Sequence, residues 1–231
     1  MAIVTTLSLH IGASCVGMTG PAIERVEPAS RDDLPQVAEV LAHAFYDDPE
    51  LRAFINGKSR AKRLRAYLFA EARLSLANGG AVDIHRDDSG EIVGAAIWEA
   101  PYAKETLLRT VRYGPAMLGA VRWRGLLNWL ACRSEFERFQ PTSPHWHLVR
   151  IGTAGNMRGQ GVGTALLKGR LAVVDGKGDV AHLESSSPMS ERLYRRFGFE
   201  VVGSFKLPYG ALIVPMTRPS QRRPAVVTHH P

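Results

Sequence analysis

A strand-like segment that runs into a glycine-rich loop is the feature of this chain that most restricts its fold. The segment HWHLVRIGT, residues 145–153, is followed by RGQGVGTALL, residues 158–167. Glycine costs backbone entropy and weakens a helix, so three glycines at alternate positions before a run of helix formers need an explanation. Either the chain only turns from strand to helix here, or its backbone N–H groups approach a ligand.

The spacing of the glycines excludes two common nucleotide-binding motifs. A Walker A loop (G-x-x-x-x-G-K-[ST]) and a dinucleotide fingerprint (G-x-G-x-x-G) both require a glycine where, counting from Gly159, this chain has Thr164. What remains is R-x-x-G-x-G at a strand-to-helix junction. The unpaired N–H groups and positive dipole end of a helix N-terminus attract anions, so a pyrophosphate fits there. A plain glycine-rich turn is the alternative.

The other segments alternate between strand and helix patterns. Ser30 is predicted to cap the first helix, a turn over residues 87–90 indicates a β-hairpin, and one strand–helix–strand crossover surrounds the glycines. The order therefore predicts an α/β fold with a mixed sheet. The predicted strands are residues 22–28, 81–86, 91–100, 145–153, 180–186, 198–205 and 211–217. The predicted helices are residues 30–48, 59–77, 103–140 with a break near Gly114-Pro115, 161–176 and 190–197.

Composition and chain ends set the domain organisation. With 231 residues, of which 45% are hydrophobic, the chain can bury a substantial core. Residues 1–21 are predicted to be a disordered leader, since they lack the basic start of a secretory signal, and Met18 is an alternative start to Met1. Residues 22–218 are predicted to form one domain and residues 219–231 a disordered basic tail. Two cysteines and no long apolar run favour a cytoplasmic protein.

The net charge of +7 allows a nucleic-acid partner, but its distribution argues against one. Residues 218–231 alone hold Arg218, Arg222 and Arg223, and the sequence has neither a dense basic helix nor a basic stripe with interleaved aromatic residues. A modest excess of positive charge of this kind suits a small polyanionic ligand. We predict neither nucleic acid nor membrane as a partner.

Two motifs in this order resemble a known family. R-x-x-G-x-G after a strand, followed by LESSSPMSERLYRRFGFEVV, is similar to the GNAT acyltransferase superfamily, and with AHAFYDDP near the start it resembles the branch that contains puromycin N-acetyltransferase. The resemblance covers residues 22–218. It implies an α/β (α+β) fold whose seven mostly antiparallel strands are flanked by helices and splayed between the fourth and fifth. Acetyl-CoA would lie in that opening, and the sequence leaves open whether the chain is a monomer or a homodimer.

The resemblance also assigns residues to acetyl-CoA. The backbone of the strand end would pair with the pantetheine arm, and the loop amides would hold the pyrophosphate, in agreement with the physics of strand edges and helix N-termini. Ser190 stands where the family often has Asn, and its shorter side chain is also typical of a helix N-cap. Gly155 stands where the family often has Pro. The implied binding residues are Ile151, Gly152, Thr153, Arg158, Gly159, Gln160, Gly161, Val162, Gly163, Thr164 and Ser190.

Catalysis needs a proton donor for the departing thiolate and a proton acceptor for the attacking amine. The tyrosine of LYRRFGF, Tyr194, matches the position that commonly donates this proton in the family. Glu184 matches the acid of the family's L-E-[ST]-S stretch and is the first candidate for the base, although a chain of waters would serve equally. His147 is a weaker candidate. The histidines do not form a metal-ligand set, so no metal is predicted.

The leading hypothesis is therefore an acetyl-CoA-dependent N-acetyltransferase that acts on the primary amine of a small molecule by direct attack in a ternary complex. Residues 103–140 are expected to wall the acceptor pocket, where Tyr113, Trp123 and Trp129 would suit a flat, partly aromatic amine. A non-catalytic acyl-CoA-binding module, a protein N-acetyltransferase and a basic nucleic-acid-binding protein are the alternatives.

Overall fold

A computed structural model describes residues 25–101, 107–207 and 210–221. Within them the strands are β1 Val26–Pro28, β2 Ala81–Arg86, β3 Ile92–Glu99, β4 His145–Thr153, β5 Val180–Ser185, β6 Glu200–Val201, β7 Phe205–Lys206 and β8 Leu212–Arg218. The helices are α1 Leu34–Ala44, α2 Pro49–Phe54, α3 Arg60–Ala77, α4 Leu107–Phe139, α5 Val162–Lys177 and α6 Pro188–Arg196. None of the helices in the described ranges is long and apolar enough to cross a membrane.

The strands form a sheet with the order β1-β2-β3-β4-β5-β8-β6, and β7 also pairs with β8. Every pairing is antiparallel except that between β4 and β5, which α5 connects as a crossover helix. A parallel pair needs such a connection. The predicted mixed, mostly antiparallel sheet is confirmed.

The sheet separates two cores. Side chains of α1, α2 and α3 pack with alternate residues of β2 and β3, such as Ile84 and Ile97, on one face. Side chains of α5 and α6 pack on the other face with residues such as Trp98, Leu148 and Leu183. Successive side chains of β3 enter opposite cores, which is the period of two expected for a strand buried on both faces.

The sheet opens between β4 and β5. The two strands pair only from His145 to Leu148 against Val180 to Leu183, whereas β4 continues to Thr153 and stays paired with β3. Beyond Leu148 the β5-facing edge of β4 has no strand partner among the described residues. The splay predicted between the fourth and fifth strands is therefore present.

The strand count differs from the prediction, because the segment predicted as one strand over residues 198–205 forms two short strands, β6 and β7. Gly203 lies between them against the ring of Phe139. A Cβ atom built on Gly203 would lie 2.1 Å from Cε1 of that ring. The packing of α4 thus interrupts the ladder here, and the sheet has eight strands in place of seven.

Three helical details were also predicted incorrectly. Ser30 is not the cap of α1, since its N–H and hydroxyl both donate to Asp33, the residue that directly precedes the helix. The short helix α2 was not predicted. The predicted break near Gly114-Pro115 is absent, because α4 is one helix with Pro115 inside it. It packs along α2 and α3, and such tertiary packing overrides local propensity.

Candidate functional site

A β-bulge in β4 decides which side chains of that strand face which core. Ile97 pairs with Arg150 while Trp98 pairs with Leu148, so Val149 is an extra residue on β4. A bulge shifts the alternation of side chains by one. Arg150 and Gly152 consequently face the α1–α3 layer, on the same side as His147.

The loop before α5 carries a group of unused backbone donors. Gly159 and Gly161 lie in the left-handed region with φ of +79° and +85°, which side chains other than glycine rarely adopt. The amides of five residues have no hydrogen-bond acceptor within the described residues; they are Gly159, Gly161, Val162, Gly163 and Thr164. Amides and helix dipole together make an anion site.

The side chains of the same loop contribute less than its backbone. Arg158 is exposed, and the amide of Gln160 donates to the carbonyl of Asn156 at 2.8 Å. Among the described residues, no group of three or more His, Cys, Asp or Glu side chains is arranged to hold a metal ion.

The end of β4 offers a free strand edge beside this loop. Ile151, Gly152 and Thr153 pair with β3 on one side, and their other edge faces the opening, so an extended ligand with amide groups can pair there. Packing against α1 also favours glycine at position 152. A Cβ atom on it would lie 2.8 Å from Cβ of Ala44 and 3.1 Å from Cδ2 of Leu41, both on α1.

Tyr194 projects from α6 into the core beside the opening. Its side chain is buried, and its ring lies 5.9 Å from that of Phe199 in an edge arrangement. The hydroxyl has no hydrogen-bond partner among the described residues. Burial, with a smaller effect of the negative charge of Asp48, raises the pKa of Tyr194 above its usual value. The phenol is therefore protonated at neutral pH and free to donate.

Glu184 sits between two histidines. Nε2 of His147 lies 2.7 Å from Oε2 of Glu184, and Nε2 of His182 lies 3.2 Å from Oε1. The other ring nitrogen of His182 lies 2.9 Å from the hydroxyl of Thr217, and that of His147 lies 3.5 Å from Glu99.

This network fixes the charges of its members. Burial acts to raise the pKa of Glu184, but His147 and then His182 outweigh it and hold that pKa well below its ordinary value. Burial likewise acts to lower the pKa of His147, yet Glu184 and Glu99 raise it to about 10. At neutral pH the pair is an imidazolium and a carboxylate.

The first turn of α2 bridges the opening between β4 and β5. Asp48 caps this helix by accepting from the N–H of Leu51 at 2.9 Å, and its second oxygen accepts from the hydroxyl of Ser186, just past β5, at 2.7 Å. Two residues later, Glu50 accepts from Nη1 of Arg150 on β4 at 3.2 Å. Asp48 and Glu50 were not predicted as site residues, although Asp-Pro-Glu is a recognisable helix start.

Arg150 holds two buried carboxylates. Besides Glu50 it contacts Glu71 of α3, with Nε 3.3 Å from Oε2, and its guanidinium lies 5.8 Å from the ring centre of Phe45. Burial raises the pKa of Glu50 to about 7; Arg150 opposes the change, while the charges of Asp48, Glu184 and Glu71 add to it. Burial also raises the pKa of Glu71, against the effect of Arg150.

Ser190 is drawn into a hydroxyl cluster at the start of α6. Ser187, not Ser190, caps this helix, since it accepts from the N–H of Ser190 at 3.2 Å. The hydroxyl of Ser190 lies 2.9 Å from that of Ser185 and 2.7 Å from that of Ser187. The prediction that Ser190 caps α6 is therefore wrong by three residues.

Comparisons with known proteins agree with this geometry. Residues 138–219 match the family model described as an acetyltransferase (GNAT) domain. A crystal structure from Corynebacterium glutamicum, described as histone acetyltransferase HPA2 and related acetyltransferase, is 30% identical with a TM-score of 0.69, and the alignment covers 87% of this chain and 98% of that one.

Two insect enzymes share the fold at lower identity. They are arylalkylamine N-acetyltransferase 2 of Aedes aegypti, 14% identical, and the polyamine N-acetyltransferase of Drosophila melanogaster, 15% identical. Both have a TM-score of 0.59, and each alignment covers 84% of this chain and 98% of the other.

Proposed function

Because this chain belongs to the GNAT family of acetyltransferases, we propose that it transfers the acetyl group of acetyl-CoA to the primary amine of a small molecule, by direct attack while both substrates are bound. The observation that carries the proposal is the opening between β4 and β5. There the free edge of β4 leads into the loop with five amides that have no acceptor among the described residues, and buried carboxylates and the Tyr194 hydroxyl, also without a partner in that part of the chain, lie on the neighbouring elements.

GNAT acetyltransferases use acetyl-CoA, and the residues at the opening suit it. We propose that the backbone of Ile151 to Thr153 pairs with the pantetheine arm and that the loop from Arg158 to Thr164 holds the pyrophosphate. Ser190 is a weaker contact, since its hydroxyl already bonds to Ser185 and Ser187. Acetyl-CoA, when bound, supplies the acetyl thioester; every other role falls to side chains of this chain.

Tyr194 is the proposed proton donor to the departing thiolate. Its hydroxyl is protonated at neutral pH and has no partner to break among the described residues. Donation leaves a phenolate, which burial disfavours, so the proton must move as the bond from carbon to sulfur breaks and the sulfur becomes basic.

Glu184, the base of the sequence hypothesis, is proposed to contact the acceptor amine. Its carboxylate is anionic because His147 and His182 stabilise that state. The same stabilisation makes it a weak proton acceptor, as its pKa lies well below the ordinary value. We therefore propose that Glu184 attracts the cationic amine.

A small amine is favoured by the charges at the opening. Among the described residues, the side chains that contact the carboxylates of Asp48, Glu50, Glu71 and Glu184 include only three that can carry a positive charge, namely Arg150, His147 and His182. The names of the two insect relatives, an arylalkylamine and a polyamine acetyltransferase, are consistent with this class, as is the resemblance to the puromycin N-acetyltransferase branch.

Two parts of the proposal concern the surroundings of the site. We propose that α4 walls the acceptor pocket; of its three aromatic candidates, the side chains of Tyr113 and Trp123 lie outside the described residues, and that of Trp129 is exposed. A cytoplasmic location is proposed from the cysteine usage, with Cys132 a free thiol.

A protein N-acetyltransferase is the second candidate, because the Corynebacterium relative is described as a histone acetyltransferase. The deciding experiment measures acetyl-CoA binding by calorimetry, then product mass with phenethylamine, tryptamine, putrescine, spermidine and a histone-tail peptide. We expect binding and acetylation of at least one small amine. Acetylation of the peptide alone would favour the second candidate, and binding without any product would favour a non-catalytic acyl-CoA-binding module.

A further inference from the structure

We infer that Glu50 accepts the proton that the acceptor amine loses on acetylation. The inference rests on the proposed acetyl transfer and assigns the base of that same site. It starts from the position of Glu50 in the first turn of α2, which touches both strands where they separate.

The contacts of α2 fix this position. Asp48 is bonded to Ser186 at the end of β5, and Glu50 is bonded to Arg150 on β4, in the stretch whose β5-facing edge is free. The side chain of Glu50 is 12% exposed. It is shielded from bulk water but lies at the gap into which an acyl donor and an amine must both enter.

The neighbouring carboxylates are less available. Each oxygen of Asp48 accepts its own hydrogen bond, from Leu51 and from Ser186, and each oxygen of Glu184 is bonded to a different histidine. By contrast, both oxygens of Glu50 contact one nitrogen, Nη1 of Arg150, at 3.2 and 3.5 Å. Among the described residues Glu50 therefore has one donor where Asp48 and Glu184 have two each, and it keeps more of its lone pairs free for a further donor.

Two other acidic side chains lie near the cluster. Glu71 is 9% exposed at the side chain and lies on α3, where it contacts Nε of Arg150. The side chain of Glu99 is 51% exposed and pairs with His147. Neither has the position of Glu50 at the free edge of β4.

The charges around Glu50 also suit a base that works near neutral pH. Burial raises its pKa to about 7; Arg150 of β4 opposes this, and Asp48 of its own helix, Glu184 of β5 and Glu71 of α3 add to it. A base is most effective when its pKa lies near the working pH, since it is then both ionised and able to hold a proton.

The proton balance of the step is complete with the residues assigned. The bound ammonium group first releases one proton to solvent. The neutral amine nitrogen then forms a bond to the acetyl carbonyl carbon, and the bond from that carbon to sulfur breaks. The nitrogen loses one proton to the carboxylate of Glu50, and the sulfur gains one proton from the hydroxyl of Tyr194. Solvent then removes the proton from Glu50 and returns one to Tyr194, so the products are the amide and the free thiol.

The test compares Glu50→Gln with Glu71→Gln as a matched control. Both variants remove one of the two carboxylates that hold Arg150, but only the first removes the group at the free strand edge. The measurement is kcat/KM from pH 5.5 to 9 with the most active amine of the panel above, together with acetyl-CoA affinity and thermal unfolding. Glu50→Asp keeps a carboxylate and is the control that separates the loss of the base from a folding defect.

We expect wild-type kcat/KM, calculated per neutral amine, to rise with pH through about 7 as Glu50 ionises. Glu50→Gln should lower kcat/KM about a hundredfold at pH 7 and lose that rise, with acetyl-CoA affinity unchanged. Glu71→Gln should keep the rise, and Glu50→Asp should restore part of the rate.

Two results would overturn the inference, and they differ from each other. If Glu50→Gln folds and keeps both the rate and the pH profile of the wild type, another group takes the proton, although acetyl transfer itself stands. If the wild-type protein acetylates no amine, the proposed function fails and the role of Glu50 fails with it.

Discussion

Nε2 of His147 lies 2.7 Å from Oε2 of Glu184, across the only parallel pairing that the described part of the sheet contains. The two residues sit on β4 and β5 next to the last paired positions, Leu148 and Leu183, beyond which the strands separate. The ion pair thus joins the two sides of the opening at its closed end. It also ties the stability of the fold to the protonation of a histidine.

We predict that the contribution of His147 to stability disappears at high pH. Its pKa is raised from 6.5 to about 10 in the fold, so the folded state binds the proton more tightly than the unfolded chain. The stabilisation is complete below about 6.5 and is lost as the pH rises through about 10. The free energy of unfolding of wild type minus that of His147→Gln should fall by at least about 1.4 kcal/mol from pH 6 to pH 10, the value of a tenfold change in proton affinity.

Urea denaturation at pH 6, 8 and 10 measures this difference. His43→Gln is a suitable control, because the side chain of His43 is 72% exposed and a surface pair contributes little. If the difference in the free energy of unfolding between wild type and His147→Gln stays constant from pH 6 to pH 10, His147 and Glu184 do not form an ion pair in solution.

We predict that Gly161→Val weakens acetyl-CoA binding at least tenfold, about 1.4 kcal/mol. Gly161 precedes α5 with φ of +85°, and nothing lies within 4 Å of a Cβ atom built there. Backbone strain, and not a clash within the protein, is therefore the expected cause of the weaker binding. A β-branched residue leaves the left-handed region and turns the following amides away from the ligand.

Gly163→Ala is the matched control for Gly161→Val. Gly163 also has open space around a built Cβ atom, and its φ is not in the left-handed region. This variant should keep wild-type unfolding temperature, and calorimetry on it reports whether the ligand itself comes close to the loop. Wild-type affinity in a folded Gly161→Val protein would contradict the assignment of the loop.

The sequence predicted those parts of the fold that depend on neighbours along the chain. The hairpin around residues 87–90, the helix that ends at Ala77 and the strand from His145 to Thr153 follow from turn residues and apolar periodicity, and the structure confirms them. The unused amides at Gly159 and Gly161 likewise follow from a local motif. Whether they bind phosphate remains a prediction.

The parts that the sequence did not predict depend on distant partners. Glu50 and Arg150 are 100 residues apart, and no spacing rule connects them. The bulge at Val149 is set by pairing with β3, and it turns Arg150 toward α2 against simple alternation. These two features create the acidic cluster, which explains why Glu50 was not among the sequence candidates for the base.

We predict that Gly152→Ala destabilises the protein by about 1–3 kcal/mol through overpacking. The new methyl group would lie 2.8 Å from Cβ of Ala44, 3.1 Å from Leu41 and 3.3 Å from Phe45. Since α1 must move away from β4 to accept it, the loss should appear in chemical denaturation. Gly155→Ala, at a site with nothing within 4 Å of a built Cβ atom, should change stability by less than about 0.5 kcal/mol. Equal stabilities for the two variants would disprove the packing argument.

We predict that residues 18–218 fold and bind acetyl-CoA without the rest of the chain. The boundary after Arg218 is set by contacts: its Nε donates to the carbonyl of Phe197 at 2.6 Å, and its guanidinium pairs with Asp175. A chain that ends at Thr217 loses these contacts and should unfold at a lower temperature. Calorimetry and thermal unfolding of both truncations test the boundary, and equal behaviour of the two would contradict it.

Finally, we predict that Tyr194→Phe lowers kcat about a hundredfold or more while acetyl-CoA affinity and stability stay near wild type. Phenylalanine keeps the ring that packs at 5.9 Å from Phe199 and removes a hydroxyl that has no hydrogen-bond partner within the described residues. Removing a hydroxyl that makes no hydrogen bond to these residues costs the fold little, so any loss of rate reports on chemistry. The measurement is kcat in steady state. The absence of a pre-steady-state burst of product is the check that chemistry, and not product release, limits turnover. A variant with wild-type kcat and no burst would remove Tyr194 from the mechanism.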